Sequence, residues 1–437
     1  MLGDAYVAWL TSEFGVGVKD YCVYWFRKAH DRLEPGKRAG LVGTNSISQN
    51  RARGASLDYI AGNGGVITSA VSKQPWPGDA VVNVSIVNWV KDPVTPPAVF
   101  ALDGVEVAGV STSLRRADRQ SESALRLKEN SARCFQGVTP TGAGFIITAE
   151  EASVLRGTFE RSDAMIVRPY LDGDDIASDS QQRATRFVID FGVLPLEAAM
   201  EFPAALRVVE ERVRPTRSGH SNASLRRAWW RFERPRTEMR EALAPLHRFA
   251  VANRYGKRIL FAWADPDELP SGQVIAFAFE DDYAMGVLMS YGHIEWARAQ
   301  SSTLRVDIRY TPTSAFATFP WPEPDDVGRE AIADLARRVV ARRQEICVER
   351  QIGLTKLYNE VDDGAYADLA TLHRQLDEAV AAAYGWPKSA AHDPDESNAR
   401  LLELNRAIAA GERPYDPFAY LRLASAPAES SDAPTAE

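Results

Sequence analysis

Between residues 4 and 90 the sequence switches repeatedly between helical and strand-like spacing, and this alternation limits the possible folds more than any other feature. Over residues 20–33, apolar residues at Tyr21, Tyr24, Trp25, Ala29 and Leu33 fall close to a helical period, with Asp20 placed as N-cap and Pro35-Gly36 as the stop. Residues 38–43 (Arg-Ala-Gly-Leu-Val-Gly) form a short apolar run suited to a buried strand. Residues 53–60 read as a helix, 65–70 as a strand and 81–90 as a long β-branched strand. Helices between buried strands imply an open α/β sheet covered on both faces. Such sheets usually hold about five strands or more, whereas three are visible. The expectation is therefore a half-domain, with the chain beginning in the middle of a fold.

Residues 91–145 are turn-rich and polar, opening on Asp92-Pro93-Val94-Thr95-Pro96-Pro97, so one boundary is expected near 95 and a connecting segment over 96–143. From 144 to 324, short strands at 145–147, 186–189, 259–263, 274–279 and 305–310 alternate with helical stretches such as 196–213, an α+β pattern. Pro320-Trp321-Pro322-Glu323-Pro324 ends it. A long helix over 326–352 and two more at 366–384 and 396–410 predict a helical module over 325–423. The Ala/Ser/Pro/acidic stretch 424–437 is expected to be disordered. No internal repeat is visible.

Composition excludes several classes. With 437 residues, 45% hydrophobic and 25% charged, the chain is neither collagen-like nor wholly disordered. No apolar run approaches the ~20 residues of a membrane-crossing helix, and the first residues lack the basic and apolar regions of an export signal. Cys22, Cys134 and Cys347 lie far apart without a CxxC, which argues against disulfides or a zinc cluster. A cytoplasmic protein without metal or membrane contact is the expectation.

A net charge of −8 argues at first against nucleic acid, yet it averages over a strong asymmetry. Between Arg207 and Arg258, 14 basic residues face 5 acidic ones. Arginine dominates, as suits bidentate contact with phosphates and guanine edges. Aromatics interleave in Arg226-Arg227-Ala228-Trp229-Trp230-Arg231-Phe232. The tryptophans fit core positions better than stacking positions, while the arginine cluster as a whole fits polyanion binding.

Several stretches, in order along nearly the whole chain, together resemble one family, the MmeI-like adenine-specific DNA methyltransferases. Residues 2–7 (Leu-Gly-Asp-Ala-Tyr-Val) are similar to the segment just after that family's catalytic Asn-Pro-Pro-Phe motif, residues 20–26 to the next helix, and 39–47 to the next strand and its loop. Residues 168–175 and 187–192, Trp229-Trp230 with Arg236, Lys257-Arg258, 286–288 and 309–313 leading to 319–322 resemble its target-recognition region. Residues 354–359 and 383–387 resemble its helical end. Each short match is weak; their collinear order is specific.

The resemblance implies a partial Rossmann-like methyltransferase sheet over residues 1–95, followed by a target-recognition domain over 144–324. It implies double-stranded DNA as partner and S-adenosylmethionine as cofactor, in a base-flipping enzyme of a modification or restriction–modification system. Trp76, in a loop before the strand 81–90, is similar to an aromatic that clamps the flipped base in the wider group; a rigid loop plug between Pro75 and Pro77 is the alternative. Thr44 and Asn45 end a strand at the carboxyl edge, where ligands bind in open α/β sheets. Gln49, Asn50, Arg51 and Arg53 continue as a basic loop facing either DNA or solvent. In the recognition region Arg217, Arg226, Arg227, Arg236, Lys257 and Arg258 are candidate DNA contacts. Arg305, Asp307 and Arg309 share one face of a strand, either reading bases or forming a salt-bridged surface.

The sequence has no glycine-rich cofactor loop with an acidic partner and no Asn-Pro-Pro motif, and Gly62-Asn63-Gly64-Gly65 lies between helix and strand, the wrong context for one. The expectation is a truncated or split chain, inactive alone and carrying recognition, with a separate N-terminal methyltransferase half as a candidate partner. A non-catalytic DNA-binding specificity subunit is the alternative.

Overall fold

The computed structural model describes residues 3–14, 20–48, 50–77, 82–95, 97–114, 116, 124–158, 166–304 and 307–424. The expected disordered tail, from 425 onward, lies outside the described residues, as does Gln49. Among the described residues no helix is long and apolar enough to cross a membrane.

The first sheet contains β1 (Arg38–Thr44), β2 (Gly65–Pro75), β3 (Asn83–Lys91), β4 (Phe100–Leu102) and β5 (Val105–Val107), in the order β1-β3-β2-β4-β5. β3 runs antiparallel to both β1 and β2, so those two run parallel to each other and end at the same edge. Alternate residues of β3 face opposite ways. Val87 and Trp89 point to the helices Tyr21–Arg32 and Leu57–Gly62, and with Val23, Phe26, Leu57 and Ile60 they form a compact core. Inside it the Trp89 indole donates to His30 Nδ1 at 3.2 Å.

Three expectations are corrected here. The sheet has five strands rather than three, because β4 and β5 come from the segment read as a connection. Its second face is only partly covered among the described residues: Val84 and Val90 are buried, but Val42 is 49% exposed and Asn88 exposed, and β1 is an outer strand and not a buried one. The helix expected over 53–60 is two short helices, Asn50–Ala55 and Leu57–Gly62, parted at Ser56, whose buried hydroxyl donates to the carbonyls of Ile47 and Ala52.

The recognition region is built on a four-stranded antiparallel sheet in the order Phe261–Ala264, Phe249–Asn253, Val274–Phe277, Cys134–Gln136. A second sheet joins Leu269–Pro270, Val167–Leu171, Arg186–Ile189 and Ile146–Ile147; a small third one joins Tyr255–Gly256, Asp307–Arg309 and Ser302–Leu304. Residues 124–143, expected to connect domains, are part of this body. Asn130 is buried, and its amide donates to the carbonyls of Phe316 and Phe319 at 2.9 and 2.8 Å. Gly137 lies so close to the chain beside it that a Cβ would collide with the carbonyl oxygens of Ser271 and Pro270. The expected helix over 196–213 is interrupted, since Pro203 opens a new helix, Pro203–Arg212, after the short Leu196–Ala199.

The C-terminal helices Asp326–Arg350, Ala367–Ala383 and Pro394–Ala409 stand within a few residues of their expected bounds, with a further helix, Leu354–Asp362, between them. They share one continuous core with the recognition region. Buried Asn405 fastens the two: its amide donates to Leu125 O and Thr318 O, both at 2.7 Å, while its carbonyl accepts from Leu125 N at 2.8 Å.

Candidate nucleic-acid interface

The small third sheet gathers positive charge. Its register sets Arg309 directly opposite Tyr255, and the guanidiniums of Arg254 and Arg309 lie 4.9 and 5.8 Å from the Tyr255 ring centroid. Burial holds the Arg254 pKa below the usual guanidinium range; the Tyr255 hydroxyl pulls it back up, and the nearby charges of Arg309, Arg236 and Arg234 lower it further. Arg236 is lowered in the same way, by burial first and then by Arg234. Arg254 and Arg309 thus flank one aromatic ring, with Arg234 and Arg236 near enough to act on the Arg254 charge, and none of the four forms an ion pair with a carboxylate among the described residues. Such a surface attracts a polyanion, with Tyr255 available beside it for stacking.

Within the cluster the roles divide. Arg236 donates to the Gly137 carbonyl and the Gln136 side chain, and Arg254 donates to the Gly272 carbonyl at 3.1 Å, so both are anchored. Arg234, Lys257 and Arg309 are exposed, with no hydrogen bond or ion pair from their side chains to a described residue. Arg227 is likewise exposed and unengaged, while Arg226 donates to the Ser221 carbonyl at 3.0 Å. Asp307 lends its backbone to the strand; its side chain, that of Arg51 and the whole of Arg305 lie outside the described residues, so the expected Arg305–Asp307–Arg309 face is seen only at Arg309.

Several candidates take other duties. Arg217 is 2% exposed, and its guanidinium donates to the carbonyls of Pro140, Thr141, Trp229 and Arg231 beneath the Phe145 ring. It is a core residue and presents nothing to DNA. Arg258 pairs with Asp362 of the helical module, and Arg53 pairs with Asp58 at 3.1 Å. Trp229 and Trp230 are buried, as expected, packed edge to face. Arg234 and Arg254 belong to the basic run that fits polyanion binding but are not among its individual candidate contacts, and Tyr255 is missed; the signal that marks Tyr255 is an aromatic set between Arg254 and Lys257-Arg258.

A second cluster lies at the carboxyl edge of the first sheet. Thr44 pairs with Val84 and Pro75 with Asn83, so Asn45 and Trp76 follow strands two positions apart, a separation of about 10 Å. Trp76 is 45% exposed, and its backbone N–H is held by Val82 O at 2.9 Å. Thr44 and Ser46 both donate to the Asp20 carboxylate, at 2.7 and 2.9 Å. Asp20 does begin the helix at the expected place, but its side chain holds this loop instead of capping the helix.

Residues 122–323 match the family described as MmeI, target recognition domain. A stretch of 122 residues is 30% identical to DNA methyltransferase A of Bacillus subtilis (strain 168), covering 28% of this chain and 13% of that protein. The fold superimposes on the Type IIL restriction–modification enzyme MmeI, solved in complex with DNA, with a TM-score of 0.76 at 19% identity, over 93% of this chain and 55% of that one. The chain thus spans about half the length of the solved enzyme and a small part of the curated relative. The matched family region takes in the strand Cys134–Gln136 and the sheet that holds Arg309; residues 122–323 match a target recognition domain of the MmeI type, and the fold is MmeI-like over most of the chain.

Proposed function

We propose that this chain is the DNA-recognition portion, with the rear of the sheet, of an adenine-specific DNA methyltransferase of a restriction–modification system. The observation that carries the reading is the pair Arg254 and Arg309 flanking Tyr255, with the charges of Arg234 and Arg236 acting on Arg254, inside the region matched to a target recognition domain. Exposed Arg227, Arg234, Lys257 and Arg309 meet phosphates or base edges of double-stranded DNA, and the anchored Arg236 and Arg254 supply a fixed positive field behind them. At the carboxyl edge of the first sheet, Trp76 offers a stacking face to a base rotated out of the duplex, worth ~1–3 kcal/mol by analogy with single-strand binders.

S-adenosylmethionine, the methyl donor implied by the family, is not matched by a cradle among the described residues. The glycine-rich turn 62–65 precedes a strand instead of following one, and Asp92 fills the space against Gly64. In this reading the cofactor and the groups that accept the amino hydrogens belong to a further methyltransferase half, on the same or a separate polypeptide. The outer edge of β1 is the place for it to join, since no strand pairs there among the described residues.

The test is duplex binding by fluorescence anisotropy over a salt series. Affinity falls steeply with salt if several arginines meet phosphates; absence of binding at about 50 mM salt overturns the reading. A non-catalytic specificity subunit is the second reading, favoured by the missing cradle. Calorimetry separates the two: heat on adding S-adenosylmethionine to the chain alone excludes the second, and DNA binding without such heat supports it.

A further inference from the structure

A cavity of about 410 Å³ lies where the recognition region meets the C-terminal helices. Its walls are largely apolar, with Leu260, Phe261 and Ile294 on one side and Val361 on the other. One charged group stands out. Arg343 lines the cavity yet is 3% exposed, and its hydrogen-bond partner among the described residues is the thioether of Met289 at 3.4 Å, a weak acceptor.

Two titratable groups that feel the Arg343 charge, His373 and Cys347, are neutral near pH 7. His373 lines the same cavity and bonds the Tyr358 hydroxyl at 3.0 Å; burial and the Arg343 charge push its pKa down to about 4. The Cys347 thiol is pushed up to about 11 by burial, which the Arg343 charge partly opposes. Among the described residues no carboxylate forms an ion pair with Arg343, and Asp377 on the cavity wall is held by the Tyr291 N–H at 2.7 Å. A guanidinium buried without a counter-ion is costly unless something pairs with it. Its fork matches the two oxygens of a carboxylate or a phosphate.

We propose that this cavity binds a small organic anion, with its carboxylate or phosphate on the Arg343 guanidinium and its apolar body against Leu260, Phe261 and Ile294. Such a ligand bridges the recognition region and the helical module.

The experiment is thermal unfolding of the full chain with benzoate, indole-3-acetate, phenyl phosphate or adenosine 5′-monophosphate, each against neutral benzamide. At least one anion is expected to raise Tm by about 4 °C at a hundred times its Kd, and benzamide to do nothing. Whether carboxylates or phosphates act identifies the head group. Arg343→Met, which replaces the unpaired cation by an apolar chain, is expected to hold or raise the basal Tm and to abolish the anion response. If Arg343→Met does not fold, Ile294→Trp, which fills the cavity with Arg343 retained, is expected to abolish it instead. An equal response to benzamide, a response that survives both substitutions, or no response to any of the four anions overturns the proposal.

Discussion

Arg217 and Arg309 are the same residue type in one basic run, and the fold gives them opposite duties. Arg217 donates to five carbonyls, those of Pro140, Thr141, Ala228, Trp229 and Arg231, across the join between residues 140–141 and 228–231. Arg217→Met strands those oxygens away from water, and the expected loss is on the order of 3 kcal/mol of stability by urea unfolding. At a temperature where that variant stays folded, its DNA affinity should match the parent chain; a weaker affinity there places Arg217 in the interface after all. Arg309 is exposed over Tyr255. Arg309→Ala should leave stability nearly unchanged, weaken duplex binding, and lower the slope of log K against log salt by about 1. An unchanged slope removes Arg309 from the set of phosphate contacts. The sequence shows how many arginines crowd this region, but not which of them are tied to carbonyls, because those partners lie as far as 77 residues away.

Elements with strong periodicity were the legible ones. The helix Ala367–Ala383 lies within a residue of where spacing alone puts it, since Leu369, Leu376 and Val380 bury one regular face; the strand Arg186–Ile189 also lies at its expected place. The central strand Phe249–Asn253 escaped, because all five of its residues are buried and no alternation marks it. β4 and β5 escaped because they are three residues each and draw their stability from pairing with a distant strand. Helix packing was equally hidden. Gly286 in the helix Asp282–Met289 faces the long helix Asp326–Arg350, and a Cβ there would lie 2.7 Å from Ile332 Cγ2 and 3.2 Å from both Ala336 Cβ and the Ile332 carbonyl. The glycine permits that approach. Gly286→Val forces the helices apart, with an expected cost of about 1–3 kcal/mol in urea unfolding. A variant as stable as the parent means that the two helices are not held at this spacing.

The recognition region and the helical module behave as one folded body because a single core and a set of buried polar fastenings join them, and one of those fastenings titrates. Asp377, on the helix Ala367–Ala383, accepts the Tyr291 N–H that begins the helix Tyr291–Gln300. Burial pushes its carboxyl pKa up to about 7, with the Tyr291 hydrogen bond opposing and the Glu378 charge adding to the rise. In the unfolded chain the same carboxyl titrates near ~4. Between those values the folded state holds a proton that the unfolded state has released, so the contribution of Asp377 is fully present below about pH 4 and is lost as pH rises toward 7. His293 and His373, each lowered to about 4 by burial, act in the opposite sense: their contribution is full above about pH 6.5 and is lost on acidification. A single pH profile mixes these opposing terms, whereas a substitution isolates one. Asp377→Asn keeps an oxygen for the Tyr291 N–H and cannot ionise. Its stability relative to the parent, by urea unfolding at matched pH, should therefore improve by about 3 kcal/mol between pH 4 and pH 7. If the difference between variant and parent stays flat over that range, Asp377 is ionised throughout and the junction is held by a carboxylate, not by a carboxylic acid.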